Sequence, residues 1–114
     1  MDSGHLWEEL HRAMHALSGG GDLRQRLADV YESHLSRLNP KRDLPEAMRA
    51  DFAAVQEALG REGTALACAR GLGDQEARAV ARRIISMYSV ATRLAARAEA
   101  WRDRDAAARR PSAN

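Results

Sequence analysis

The longest uninterrupted helix-forming stretch of the chain begins at Asp74 and meets no glycine or proline before Pro111. Within it, small and apolar residues recur every three or four positions, from Ala77 through Ile84 to Trp101, which predicts one amphipathic helix of about 34 residues. At about 1.5 Å per residue, such a helix measures roughly 50 Å, while the longest patterns upstream predict helices of roughly 25 Å. We therefore expect the last half of this helix to extend beyond the rest of the fold.

The composition predicts an all-α fold. Alanine accounts for 23 of the 114 residues, whereas phenylalanine occurs once and tyrosine and tryptophan twice each. Ala, Leu, Arg and Glu favour helices, and the residues that favour strands are scarce. Because alanine buries little apolar surface, and such burial stabilises by about 25 cal/mol per Å², we expect a thin core. The length predicts a single domain, residues 1–110, followed by a solvated tail, residues 111–114.

Three shorter amphipathic patterns precede the long helix and cover residues 6–17, 22–38 and 45–59. The glycines of "SGGG" separate the first two patterns, and an Asn-Pro pair ends the second, because the residue before a proline avoids the α region. Residues 64–73 predict a short helical turn. Together these patterns predict an antiparallel helical bundle of four main helices plus one short helix, with a long C-terminal helix.

Two of these helices carry the spacing of a capping box at their start. Asp22 is followed three residues later by Gln25, and Asp43 by Glu46, with Pro45 placed for a first helical turn. In such a box the first side chain accepts from a backbone N–H of the first turn. We therefore predict that Asp22 and Asp43 cap the second and third helices.

The stretch "EELHRAMH" carries a spacing that occurs in metal sites. Glu8, His11 and His15 lie three and four residues apart, so a helix places them on one face. That face lies opposite the apolar stripe of the same helix, and the sequence contains no second Glu-x-x-His, which a di-metal bundle site needs. We therefore predict a solvated polar face, with a surface or intersubunit metal site and a polar partner-binding face as the alternatives. We predict no bound cofactor and no metal.

Three further residues are interpreted as structural. His34 falls within an apolar face, which predicts a histidine at the core edge with a hydrogen-bond partner, a pH-sensitive or catalytic role being the alternative. Cys68 is the single cysteine, which excludes an intramolecular disulfide, and we predict a small buried side chain. Trp7 is predicted to fill the edge of the bundle. We predict no catalytic residue, because no nucleophile has an activating base in its pattern.

Charge is unevenly distributed along the chain. The net charge is +2, but residues 1–60 carry seven basic and ten acidic residues, whereas residues 61–114 carry eleven basic and six acidic residues. On the long helix, five arginines fall on the side opposite the apolar face, where their planar guanidinium groups match phosphates and carboxylates. We interpret this arginine stripe as a plain solvated face, a site for an acidic protein surface such as another copy's N-terminal half, or a nucleic-acid contact. The stripe consists of Arg78, Arg82, Arg93, Arg97 and Arg104.

Trp101 lies on the part of the long helix that the shorter helices cannot reach. A large aromatic side chain there either folds back onto the bundle or contacts a partner, and tryptophan is enriched among interface anchors. Both outcomes stay open from the sequence, and the partner contact includes self-association.

The beginning of the chain, "MDSGHLWEEL", is acidic and lacks the apolar run of a secretory leader. No apolar stretch approaches the roughly 20 residues that span a bilayer. We therefore expect a cytoplasmic protein that does not contact membranes.

The pattern "LWEELHRAMHAL…LRQRLADVYESHLSRL…DLPEAMRADFAAVQEAL…ARRIISMYSVATRLA" resembles small α-helical bacterial proteins, some of which are encoded in mobile-element regions. The likeness covers residues 6–95 without the "REGTALACARGLG" segment, and its motifs are amphipathic helices and caps. The resemblance implies a bacterial accessory or regulatory protein and transfers no catalytic residue.

From these observations we predict a small non-enzymatic adaptor or regulatory protein. Its partner would be another protein or a second copy in a homodimer, contacted through Trp101 and the arginine stripe of the long helix. The alternative is a nucleic-acid-binding accessory protein that uses the same arginines on phosphates.

Overall fold

The computed structural model describes residues 2–109, which form helices and no strand. The predicted all-α fold is thereby confirmed, while the predicted tail at residues 111–114 lies outside the described residues. The elements in chain order are α1 (Ser3–Leu17), α2 (Leu23–Val30), a π-helical segment (Tyr31–Leu35), α3 (Pro40–Asp43), α4 (Glu46–Leu59), α5 (Ala65–Arg70) and α6 (Asp74–Ala108).

The long C-terminal helix has 35 residues and no break. Two acidic residues, Asp74 and Glu76, lie in its first turn, where negative charge is favourable. The Gly73 N–H donates to the Glu76 carboxylate at 3.1 Å and so closes the start of the helix. The predicted long helix is therefore confirmed.

The second helix differs from its prediction. Residues 22–38 were expected to form one helix, but α2 ends at Val30 and the next turn is π-helical. Asp22 precedes α2 without a side-chain cap, and the Gln25 amide instead donates to the Asp29 carboxylate at 3.0 Å. The predicted capping box is wrong here, because an Asp partner one turn along the helix takes the Gln25 side chain.

The Asn-Pro pair begins an additional short helix that the sequence patterns did not predict. The Asn39 side chain accepts from the backbone N–H groups of Lys41 and Arg42, and Pro40 occupies the first turn, where its missing N–H costs nothing. The pair therefore both ends one helical region and starts α3.

Asp43 does not cap the helix that follows it. Its side chain accepts from the Asn39 N–H at 2.8 Å and from Arg42 Nε at 3.0 Å, and it is 8% exposed, the one charged residue buried among residues 2–109. The hydrogen bond from Arg42, with that from Asn39, lowers the Asp43 pKa from 3.8 to about 2. The predicted cap is wrong because this carboxylate closes α3 instead, and α4 begins after Pro45.

The core is built around the first half of α6, against which α1 and α4 pack, while α2 packs against α5 and α1. The buried residues on α6 are Ala77, Val80, Ile84, Met87 and Ala91. Burial stops at Ala91, so the last 17 residues of the helix contribute no buried side chain. The antiparallel order of four main helices stays a prediction.

Candidate functional site

The C-terminal part of α6 extends past the other helices. Leu94, Ala95 and Ala98 are half-buried, and the remaining side chains of residues 94–108 are exposed. We call residues 94–108 the distal segment. Trp101 lies in its middle and is 70% exposed, so the predicted alternative in which it folds back onto the bundle is wrong.

All five residues of the arginine stripe are exposed on α6. None forms an ion pair with a carboxylate of residues 2–109, whereas their neighbour Arg83 is paired with Asp51 at 3.0 Å. Arg93 donates a hydrogen bond to the hydroxyl oxygen of Ser89 at 3.4 Å. The exposure of the five guanidinium groups agrees with their predicted place opposite the apolar face, and a partner contact through them stays a prediction.

Trp101 and the arginines of the distal segment belong to one surface. Arg97 precedes Trp101 by four residues and Arg104 follows it by three, and residues at these spacings are neighbours on a helix. Arg78 and Arg82 lie apart from this group, at the other end of α6. This end belongs to the body of the molecule, by which we mean α1 to α5 and the first half of α6. The stripe therefore divides into two parts, and only the distal part adjoins an exposed aromatic ring.

A notch lies where the distal segment leaves the body. It is a cavity of about 260 Å³ whose apolar side chains come from α1, α6 and the residue after α3, and whose basic side chains come from α3 and from Arg49 of α4. We call it the terminal notch. Its lining includes Leu6, Leu44, Ala91, Leu94, Lys41 and Arg42. Leu94 precedes Trp101 by two helical turns on the same side of α6, so the notch and Trp101 face the same region.

The N-terminal histidines are arranged differently from the prediction. His11 is half-buried, with its Nδ1 3.0 Å from the Tyr88 hydroxyl oxygen and its ring stacked on Trp7 at 4.6 Å. Glu8 and His15 are exposed as predicted. The expectation of a wholly solvated face is wrong for His11, because α6 passes beside this flank of α1. Within residues 2–109, no group of three or more His, Cys, Asp or Glu side chains could hold a metal ion.

Two structural interpretations agree with the geometry. His34 lies at the core edge, and its Nδ1–H donates to the Glu9 carboxylate at 2.8 Å. Trp7 is half-buried at the edge of the body, and its Nε1–H donates to the Thr92 hydroxyl at 3.0 Å.

Cys68 is only half-buried, so its predicted burial is wrong. Its thiol is 3.7 Å from the Glu62 carbonyl oxygen and lines an open surface cavity. Helix α5 has six residues and buries Ala65 and Ala69, and Cys68 falls beside that face rather than on it.

Sequence reasoning missed two features of the surface. The terminal notch depends on α3, which no amphipathic pattern indicated because the helix has only four residues. Ile85 is 46% exposed next to the buried Ile84. Its position in the helical repeat, one residue off the core face, was the signal that could have revealed it.

Among residues 2–109, no helix is both long and apolar enough to cross a membrane. No protein-family model matches the chain, and no curated protein or solved structure shows significant similarity to it.

Proposed function

We propose that this chain is a small non-enzymatic adaptor or regulatory protein that acts through protein–protein contacts of its long C-terminal helix. The observation that carries the proposal is the exposure of Trp101, at 70%, on a segment that no other described helix covers. Removing the apolar surface of an exposed indole from water is favourable, and here a partner is needed to cover it. Tryptophan is also among the residues that contribute most to binding free energy at interfaces.

The body of the molecule serves, in this proposal, as a platform that holds the distal segment in place. Its four main helices form an antiparallel bundle, and two contacts between α1 and α6 support this order. Trp7 bonds to Thr92, and four residues later along α1, His11 contacts Tyr88, four residues earlier along α6. We also propose that the protein is a bacterial accessory protein, as the resemblance to proteins of mobile-element regions implies, and that it is cytoplasmic, as the sequence led us to expect.

The proposal is tested by affinity capture from a lysate of the source cells, with mass spectrometry and nucleic-acid detection. We expect the wild-type chain to retain a protein that the Trp101→Ala variant does not retain. The control is Trp7→Phe, which alters a tryptophan of the body and should retain the same protein. If the wild-type chain and Trp101→Ala retain the same set of proteins, the distal segment is not the contact element.

A nucleic-acid-binding accessory protein is the second candidate function. The arrangement that favours it is the exposed Trp101 between Arg97 and Arg104, because aromatic rings and arginines together bind single strands by stacking and charge. This candidate predicts that a labelled single-stranded oligonucleotide binds at low salt, that binding falls steeply as salt rises, and that Arg93→Ala or Arg97→Ala weakens it. Absence of binding at low salt would eliminate it.

A further inference from the structure

Alanine and larger apolar residues of helix α6 follow a seven-residue repeat from Ala77 to Trp101, and Asp105 interrupts it in the last turns. Intervals of three and four residues alternate along this repeat, which is the seam pattern of helices that pack against helices. The seam positions are Ala77, Val80, Ile84, Met87, Ala91, Leu94, Ala98, Trp101, Asp105 and Ala108.

The structure divides this seam into a filled half and an open half. The first five positions are buried against α1 and α4. Leu94 and Ala98 are half-buried, and the last three positions are exposed. Because the repeat continues across this boundary as far as Trp101, this part of the distal segment presents the kind of surface that the first half uses for helix packing, and no helix of residues 2–109 covers Trp101.

The residues that flank the open seam show which kind of helix fits. In a helix pair, the positions beside the seam, called e and g, choose the partner by their charge. In the distal segment these positions hold Ala95, Arg97, Arg102 and Arg104. The acidic side chains Glu99 and Asp103 lie at outer positions, and Asp105 within the seam is already paired with Arg109 at 3.1 Å.

The terminal notch extends this combination of apolar side chains and flanking positive charge toward the body. Its apolar side chains, among them Leu44 and Leu94, prolong the seam, and Lys41 and Arg49 add positive charge at its rim. Arg42 is neutralised by Asp43, to which its Nε donates at 3.0 Å, whereas Lys41 and Arg49, which also line the notch, form no ion pair with a carboxylate of residues 2–109. An apolar seam therefore runs from the notch to Trp101, with Arg97 on one side of it and Arg102 on the other.

A second copy of the chain does not fit this surface well. Two distal segments paired by their seams would place the arginines of one beside the arginines of the other, whichever direction the two helices ran. Like charges at these positions oppose pairing, which is how natural helix pairs exclude wrong partners. The charge pattern therefore favours a different protein with the opposite flanking charge.

We infer that the distal segment docks an amphipathic helix of another protein, with apolar side chains along its seam and Glu or Asp at its flanking positions, and that one end of this helix lies in the terminal notch. Trp101 is the apolar anchor, and Arg97, Arg102 and Arg104 form ion pairs with the flanking carboxylates. This inference rests on the proposed function and adds the chemical class of the partner.

The test uses two synthetic helical peptides of about three heptads, with Leu at the seam positions and either Glu or Lys at the flanking positions. Like charges keep each peptide from pairing with itself. We expect the fluorescently labelled Glu peptide to bind the full chain in an anisotropy titration and the Lys peptide not to bind. Trp101→Ala should lower the affinity for the Glu peptide by about tenfold or more, because a buried tryptophan often contributes most of the binding free energy at an interface.

A charge-reversal pair makes the test specific. The double variant Arg97→Glu, Arg104→Glu should no longer bind the Glu peptide and should bind the Lys peptide instead. The matched control is Arg78→Glu, Arg82→Glu, which makes the same change of net charge on exposed positions of α6 outside the seam flanks and should keep the original preference. Circular dichroism verifies that each variant retains the helix content of the wild-type chain.

Several results would overturn the inference. These are binding of both peptides with equal affinity, no reversal by the double variant, a dimer in the absence of peptide that Trp101→Ala abolishes, and binding of a single-stranded oligonucleotide in place of the Glu peptide. If lysate capture yields a protein that depends on Trp101 while the Glu peptide does not bind, only the inferred partner class is wrong. If both fail, the proposed function is wrong as well.

Discussion

The two tryptophans show how one residue type takes two roles in this chain. Trp7 is held in the body by a hydrogen bond to Thr92 and by stacking on His11. Trp101 has neither kind of contact among residues 2–109 and is 70% exposed. Position relative to the body, rather than the residue itself, decides whether the ring stabilises the fold or remains available to a partner.

Gly60 ends α4 at a point where the chain comes close to a side chain of the core. A Cβ built there would collide with the Tyr31 hydroxyl and approach the Gln56 carbonyl oxygen to 2.8 Å. We expect Gly60→Ala to lower the free energy of unfolding by about 1–3 kcal/mol, because a close-packed site must shift to admit a methyl group. Urea unfolding followed by circular dichroism measures the change.

The control for that substitution is Gly20→Ala, in the loop between α1 and α2, where a Cβ meets no atom within 4 Å. It should leave stability unchanged or raise it slightly, because alanine restricts the unfolded chain. Equal effects of the two substitutions would show that the Tyr31 contact is not rigid.

At the scale of the element, α6 is one helix with two environments. Its first half owes its position to buried seam residues, and its second half continues the helix through alanine-rich sequence without that support. Alanine is the strongest helix former, so the distal segment remains helical although packing does not hold it. Its stability therefore comes from propensity and from pairs such as Arg109 with Asp105.

Adjacent isoleucines on α6 test which face of the helix carries the fold. Ile84 is fully buried, whereas Ile85 is 46% exposed. We expect Ile84→Ala to lower the free energy of unfolding by about 2–5 kcal/mol, because it leaves a cavity in the core. Ile85→Ala should change it by no more than about 0.5 kcal/mol.

Both isoleucine variants are measured by urea unfolding under identical conditions, with the same spectroscopic signal. Comparable losses for the two would mean that α6 is rotated from the orientation described, so that its exposed face is a packing face.

At the scale of the whole molecule, the distal segment makes the protein elongated. Its extents are 67 × 29 × 20 Å and its radius of gyration is 17.2 Å. A compact domain of this length has a radius of gyration of about 13 Å. The difference arises because a 35-residue helix exceeds the reach of α1 and α4, which have 15 and 14 residues.

Small-angle X-ray scattering measures this shape directly. We expect a radius of gyration near 17 Å and an asymmetric distance distribution at the mass of a single chain. A value near 13 Å at that mass would mean that the distal segment folds back, which would cover Trp101 and remove the basis of the proposed contact.

The sequence by itself predicted the helical class, the length of α6 and the exposure of the five arginines, but it left open whether Trp101 folds back onto the bundle or is exposed. These predictions follow from local propensity and from a repeat that continues past the reach of the shorter helices, and both are properties of consecutive residues. The same reasoning missed α3 and the π-helical turn at Tyr31, since a helix of four residues has no measurable repeat.

Only the tertiary structure decided which side chains of different helices meet. It turned His11 from a solvated residue into one that contacts Tyr88, left the Cys68 side chain of α5 partly exposed, and placed Lys41 near Leu94 at the terminal notch. Helical phase gives the direction of a side chain on its own helix, but not which neighbouring helix passes in front of it. That information lies in the packing of α1, α3 and α6.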